Sequence, residues 1–181
     1  AKLYYHGYDS SKEMFWADKT TGLSKNFWLR SIGWFTVGLI DVLGFMDEQM
    51  YDEYNSIKVL LKEIIDGILQ YQDKETKMFW QVPNYPGREG NYLETSGSSM
   101  IAYAILKGVR LNALPERYQA IGKDIFNGIC NKYLSTNDSG DLNLGGICLV
   151  AGLGPDSNRR RDGSYEYYIS EPVVENDAKG V

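Results

Sequence analysis

The sequence predicts an all-α fold assembled from helical hairpins, and three observations predict it. Four segments space their apolar residues at three and four positions, the helical period. Two of these segments run for about three turns without a charge, while the other two carry charges along one side. The two charge-poor segments begin about 65 residues apart, near 30 and near 95, which reads as an internal hairpin repeat. A toroid of such hairpins buries its charge-poor helices as an inner ring and exposes the amphipathic ones. Its ligand site lies at one end, among loops and the ends of the inner helices.

Residues 1–26 read as loop or short strands, with an aromatic-rich start (Lys2-Leu3-Tyr4-Tyr5-His6-Gly7-Tyr8) that holds the single histidine of the chain. A lone histidine is commonly an ordinary surface or satisfied residue, and its aromatic setting alone does not change that. A helix from about Arg30 to Phe45 carries Phe35, Val37, Leu39, Ile40, Val42 and Leu43, and is expected to be buried on most sides. A second, from about Asp52 to Gln72, puts Ile57, Leu60, Leu61, Ile64, Ile68 and Tyr71 on one face. Lys58, Lys62, Asp66 and Gln70 are placed opposite, as on an outer helix.

Residues 73–93 form a long connection with Pro83, Pro86, Gly87 and Gly90 among aromatic residues, a length that often marks function. The third helix begins near Glu94-Thr95-Ser96 and meets no charge until Lys107, so it reads as inner. The fourth begins at Pro115, a favoured first-turn residue. Tyr118, Ile121, Ile125, Ile129 and Tyr133 are its apolar stripe, and Lys123, Asp124, Asn127 and Asn131 face out. Residues 135–181 read as mostly irregular. Their glycines are no phosphate loop, because no Gly-Lys-Ser/Thr follows, and Arg159-Arg160-Arg161 read as a solvated turn. Residues 176–181 resemble the lead-in to a further helix.

The totals bound the function. In 181 residues, 43% are hydrophobic and 24% charged, a composition suited to one domain with a real core. A net charge of −5 gives no ground for nucleic-acid binding. No apolar run is long enough to span a membrane, and no signal peptide opens the chain, although it starts in mid-pattern. Cytoplasm and periplasm both stay open. Cys130 and Cys148 lack metal-ligand spacing, and no metal or cofactor is expected. Aromatic residues reach 13%, with 14 tyrosines; rings of this kind serve sugar sites and cores alike.

The candidate site starts at Trp28-Leu29-Arg30-Ser31-Ile32-Gly33-Trp34. Arg30 and Trp34 are four apart at a helix start and can share a face, with Trp28 on the preceding turn. Indole rings stack on sugars, and a guanidinium makes a two-point grip on a carboxylate. The same pattern also fits a buried tryptophan pair with a helix-capping arginine.

Several blocks together resemble the unsaturated rhamnogalacturonyl hydrolases of glycoside hydrolase family 105 and the related unsaturated glucuronyl hydrolases of family 88. They are His6 placed 22 residues before Trp28, the block Trp28-x-Arg30-x-x-x-Trp34, Leu93-Glu94-Thr95-Ser96, and Asp162 to Tyr168 followed by Ser170-Glu171-Pro172. The resemblance implies part of a six-hairpin (α/α)6 barrel, here one incomplete domain over 1–181 without the N-terminal hairpins and the last helix.

It also implies hydration of the 4,5 double bond of an unsaturated uronic acid oligosaccharide. An acid protonates the double bond, water adds at the neighbouring carbon, and the resulting hemiketal opens so that the sugar bond breaks. The family's catalytic aspartate is expected before residue 1, so the chain alone is expected to be inactive. His6 is implied as assisting, and Trp28, Arg30, Trp34, Tyr165 and Tyr168 as substrate-binding. The expected partners are the carbohydrate and a missing barrel half or a second copy. A noncatalytic helical module that binds acidic sugars or a protein is the alternative.

Overall fold

The four helical patterns become α1 (Leu29–Phe45), α2 (Tyr51–Leu69), α3 (Thr95–Arg110) and α4 (Tyr118–Tyr133) in the computed structural model, which describes residues 3–47 and 49–180. Lys2 of the aromatic-rich start and Val181 of the C-terminal lead-in lie outside the described residues. A short fifth helix, α5, spans Tyr165–Ser170. α3 packs against both α1 and α4, and α1 also takes α2. Their facing stripes meet in one core, with Leu29, Ile32 and Ile40 from α1 and Ile64, Ile65 and Ile68 from α2. α3 adds Ile101 and Ile105, and α4 adds Ile125 and Ile129.

The α1–α3 crossing is close because two glycines face it. A methyl group on Gly33 would stand 2.9 Å from Met100 Cβ, and one on Gly97 would run into the Leu29 side chain. Side-chain volume at either point would push apart the two helix starts that carry the candidate site.

The inner and outer assignment of α3 and α2 agrees with the sequence, and three other expectations are corrected. α1 is not buried on most sides: Trp34, Phe35, Val42 and Phe45 are exposed, Phe45 by 90%. A charge-poor helix signals few water-seeking groups, and it does not say which neighbour covers each face. On α2, Lys58, Lys62 and Asp66 are only partly exposed, and Asp66 accepts a bond from the Tyr118 hydroxyl of α4 and pairs with Lys62. Ser56, Val59 and Glu63 form the open side instead. α4 starts at Tyr118, after a turn in which Tyr118 N donates to Pro115 O at 3.0 Å.

The segment read as irregular holds two small antiparallel ladders. Strand β1 (Leu134–Thr136) pairs with β2 (Leu142–Leu144), and β3 (Ile147–Cys148) pairs with β4 (Val173–Val174). Runs of two or three residues are too short to show a period of two. Residues 178–180, within the stretch read as the lead-in to a further helix, form a turn in which Gly180 N–H donates to Asp177 O. The 73–93 connection is also ordered. Gln81 N donates to Tyr92 O, and Glu94 N donates to Phe79 O, each at 2.8 Å, so it folds back on itself and returns to the start of α3.

The layering gives a direct expectation. Ile101 of α3 has no exposed surface, whereas Val59 of α2 is 59% exposed. Ile101→Ala should cost about 2–5 kcal/mol through the cavity it leaves, and Val59→Ala no more than about 0.5 kcal/mol. Equal melting temperatures for the two variants would show the layers to be reversed.

Candidate functional site

The starts of α1 and α3 lie side by side, and each delivers one charged residue into the space between them. Glu94 is the N-cap of α3, where backbone N–H groups lack helical partners. Its carboxylate accepts from Ser96 N at 3.1 Å and Gly97 N at 2.7 Å, from the Ser96 hydroxyl at 2.6 Å, and from Cys148 N at 3.0 Å. Arg30, in the first turn of α1, approaches the same carboxylate at 3.6 Å. The guanidinium also donates through Nε to Ser96 Oγ at 2.7 Å, and through its terminal nitrogens to the carbonyls of Cys148 and Leu149. Arg30 is 1% exposed and Glu94 not at all. Two charges out of water are tolerated only when paired and saturated with hydrogen bonds, and this network supplies both.

A second cluster rests on the first. The Arg30 guanidinium lies 5.5 Å from the Trp28 ring centre. Trp28 stacks on Tyr168 of α5, with planes 13° apart and centres 6.2 Å apart, and the His6 ring lies 4.7 Å from Trp28. His6 Nδ1 and the Tyr168 hydroxyl are 2.6 Å apart. Gln81 locks the group from below: its carbonyl accepts from Trp28 Nε1 at 3.2 Å, and its amide donates to Tyr168 O at 3.3 Å. Burial drives the Tyr168 hydroxyl above the ordinary phenol range, so it stays protonated beside Nδ1. In the tautomer that carries its proton on Nε2, His6 accepts from Tyr168 at Nδ1 and keeps Nε2–H as a donor. Burial also lowers the His6 pKa to about 4, so the imidazole is neutral at pH 7.

Four of the predicted site residues therefore meet: His6, Trp28, Arg30 and Tyr168. Trp34 does not join them, and Tyr165 joins only by packing. Trp34 is 53% exposed and lines a separate apolar groove of about 660 Å³ with Val37, Met100, Tyr103 and Phe126. No contact joins Arg30 and Trp34 in the structure: Arg30 is buried at the α1–α3 crossing, and Trp34 lines the groove with residues of α3 and α4. Tyr165 is buried, with its hydroxyl spent on the carbonyls of Arg88 and Glu89. Gln81, Ser96 and Tyr92 also belong here. The Tyr92 hydroxyl is buried without a hydrogen-bond partner among the described residues. Gln81 gives no local signal, because its role depends on chain reversal at Trp80–Leu93. Among the described residues no cluster of His, Cys, Asp and Glu has the makings of a metal site, and no helix is long and apolar enough to cross a membrane.

The whole of residues 1–181 matches the family described as Glycosyl Hydrolase Family 88. The chain belongs to that family. Two curated relatives of this family 88 chain are Protein Atu3128 of Agrobacterium fabrum and a 24.9 kDa protein in the picA locus of Rhizobium radiobacter. Each is 36% identical over 183 residues, covering 99% of this chain and 77% of the relative. A solved C. acetobutylicum glycoside hydrolase from family 105 is 44% identical, with a TM-score of 0.93 over 98% of this chain and 49% of that one. The family 88 chain thus spans about half the length of that structure. The unsaturated glucuronyl hydrolase of Bacillus sp. GL1, at 15% identity and a TM-score of 0.54 over 73% of this chain and 37% of that one, shares the fold alone. The helices α1 to α4 are accordingly part of the helical barrel of these hydrolases.

The single histidine makes the electrostatics of this site measurable. Its imidazole signals in two-dimensional NMR should titrate near pH 4 rather than near 6.5. The sign for stability follows. An unfolded chain takes up the proton below about pH 6.5, and the folded one does so only near 4. Stability should be full above pH 6.5 and fall between 6.5 and 4, and His6→Gln should remove that part of the fall. An imidazole that titrates at 6.5 in the folded protein would contradict the buried Tyr168–His6 arrangement.

Proposed function

We propose that this chain forms part of a glycoside hydrolase that acts on unsaturated uronyl oligosaccharides, rhamnogalacturonan-derived ones in particular, by hydrating the 4,5 double bond. The observation that carries this reading is the match of residues 1–181 to family 88, seconded by 44% identity to a family 105 hydrolase. In it, the His6–Trp28–Tyr168 cluster lies against the sugar. Trp28, only 6% exposed, backs the half-buried His6 ring, neutral His6 donates from Nε2–H to a hydroxyl, and Tyr168 holds the imidazole in that tautomer. Arg30 was expected to grip the uronate. Its guanidinium is occupied by Glu94, so it is assigned instead to positioning Trp28. Trp34 stands apart in its own groove, and Tyr165, packed into the same buried cluster with its hydroxyl already bonded, makes no direct contact with the unsaturated sugar in this reading.

The proton donor in this reading is an aspartate ahead of residue 1, and the chain contributes one incomplete barrel domain. The exposed row Trp34, Phe35, Val42 and Phe45 then has a natural neighbour: further helical hairpins of the barrel, from the same polypeptide or a second copy. An exposed apolar face of this kind favours association over solvation.

The test uses the complete polypeptide that contains residues 1–181, with the unsaturated galacturonyl-rhamnose disaccharide as substrate. Hydration removes the ultraviolet absorbance of the conjugated double bond. The intact protein should discharge that absorbance catalytically, and His6→Ala should lower kcat/KM roughly tenfold, the value of one well-placed hydrogen bond. Unchanged absorbance with the intact protein would sink the reading. Unchanged kinetics in His6→Ala would remove His6 from it.

A further inference from the structure

The loop from Val82 to Asn91 runs out to solvent beside the aromatic cluster and is tied down by several hydrogen bonds. The Asn91 carboxamide accepts from Val82 N at 3.2 Å and donates to the carbonyls of Val82 at 3.0 Å and Tyr85 at 2.8 Å. Tyr165 of α5 donates toward the carbonyls of Arg88 and Glu89, and Gly90, at φ +80°, holds a backbone conformation that a side chain would strain. A loop tied at both ends and in the middle presents its side chains in fixed positions.

Arg88 is what it presents. The guanidinium lies 3.8 Å from the Tyr165 ring centre and 5.1 Å from that of Tyr85. The two rings meet edge to face at 5.4 Å. Stacking fixes the plane of an arginine and leaves its edge donors free for a two-point contact. The only side-chain partner among the described residues is Glu166, reached by one nitrogen at 3.0 Å, with side chains 45% and 71% exposed. Such a surface pair is weak and exchangeable, and Nε and Nη1 have no partner among the described residues. The position is continuous with the site. Tyr165 and Tyr168 are three apart on α5, so they share a face, and both belong with Trp28 and Val82 to one buried cluster.

We propose that Arg88, framed by Tyr85 and Tyr165, is a specificity-determining residue that takes a carboxylate of a further acidic sugar unit, displacing Glu166. This rests on the uronyl reading of the neighbouring site. A ring-backed arginine at the rim selects for a chain with a second anionic unit over a neutral one, and fork geometry favours a carboxylate over a point anion.

The experiment measures binding rather than turnover, with the complete polypeptide and calorimetry at low salt. The probes are trigalacturonic acid, the same trisaccharide with its carboxyls reduced to alcohols, and inorganic phosphate. Arg88→Leu should weaken the acidic trisaccharide about tenfold or more while leaving the reduced one within about twofold. Glu166→Gln, which keeps the loop contacts, should tighten the acidic trisaccharide severalfold. Equal losses for acidic and reduced sugars in Arg88→Leu, or no gain in Glu166→Gln, would overturn the proposal. Phosphate that binds as tightly as the trisaccharide and competes with it would also overturn it, by showing a general anion contact. Selective acidic binding by a protein that leaves the ultraviolet absorbance of the unsaturated disaccharide unchanged would instead count against the hydration reading alone.

Discussion

The buried contact between Arg30 and Glu94 is the constraint on which this end of the molecule depends. Glu94 caps α3, Arg30 opens α1, and the backbone of Cys148 joins both, so one carboxylate ties two helices and a strand together. The desolvation of two charges makes such a pair a poor source of net stability. Removing one partner, however, leaves an uncompensated charge at a cost of about 3–5 kcal/mol. The value of the arrangement is geometric. It fixes the turn before α1, and with it Trp28, on which His6 and Tyr168 are assembled.

The aromatic cluster converts that geometry into chemistry. Burial keeps His6 neutral and Tyr168 protonated, so the pair meets a ligand as a neutral hydrogen-bonding group rather than as a charge. A neutral donor suits a sugar hydroxyl. Of the four residues that meet here, none is an acid that could give a proton to a double bond. Within the proposed hydration the cluster orients and binds.

Much of the fold was legible because inner and outer helices differ in composition. The stretch from Thr95 to Leu106 has no charge, and the stripe from Ile57 to Ile68 repeats at helical spacing. The exposed face of α1 was not legible, because apolar side chains carry no mark of whether a neighbour is present. The site was legible in part. His6, Trp28 and Arg30 could be picked out by spacing and resemblance, yet their facing could not. Arg30 and Trp34 share a helical face in register alone. The closeness of Gly33 and Gly97 sets which side of α1 meets α3, and Arg30 follows that side inward while Trp34 turns to a groove. Gln81 carries no pattern of its own, because its partners, Trp28 and Tyr168, are 53 and 87 residues distant.

The central claim is that ligand is met at the His6–Trp28–Tyr168 cluster and not at Trp34. A crystal structure of the complete polypeptide with an unsaturated uronyl disaccharide bound tests it most directly. The account predicts a sugar ring within hydrogen-bond reach of His6 Nε2 and in contact with Trp28, with the Arg30–Glu94 pair intact. A disaccharide bound in the groove between Trp34 and Phe126, with His6 untouched, or a uronate carboxylate that replaces Glu94 on Arg30, would contradict it.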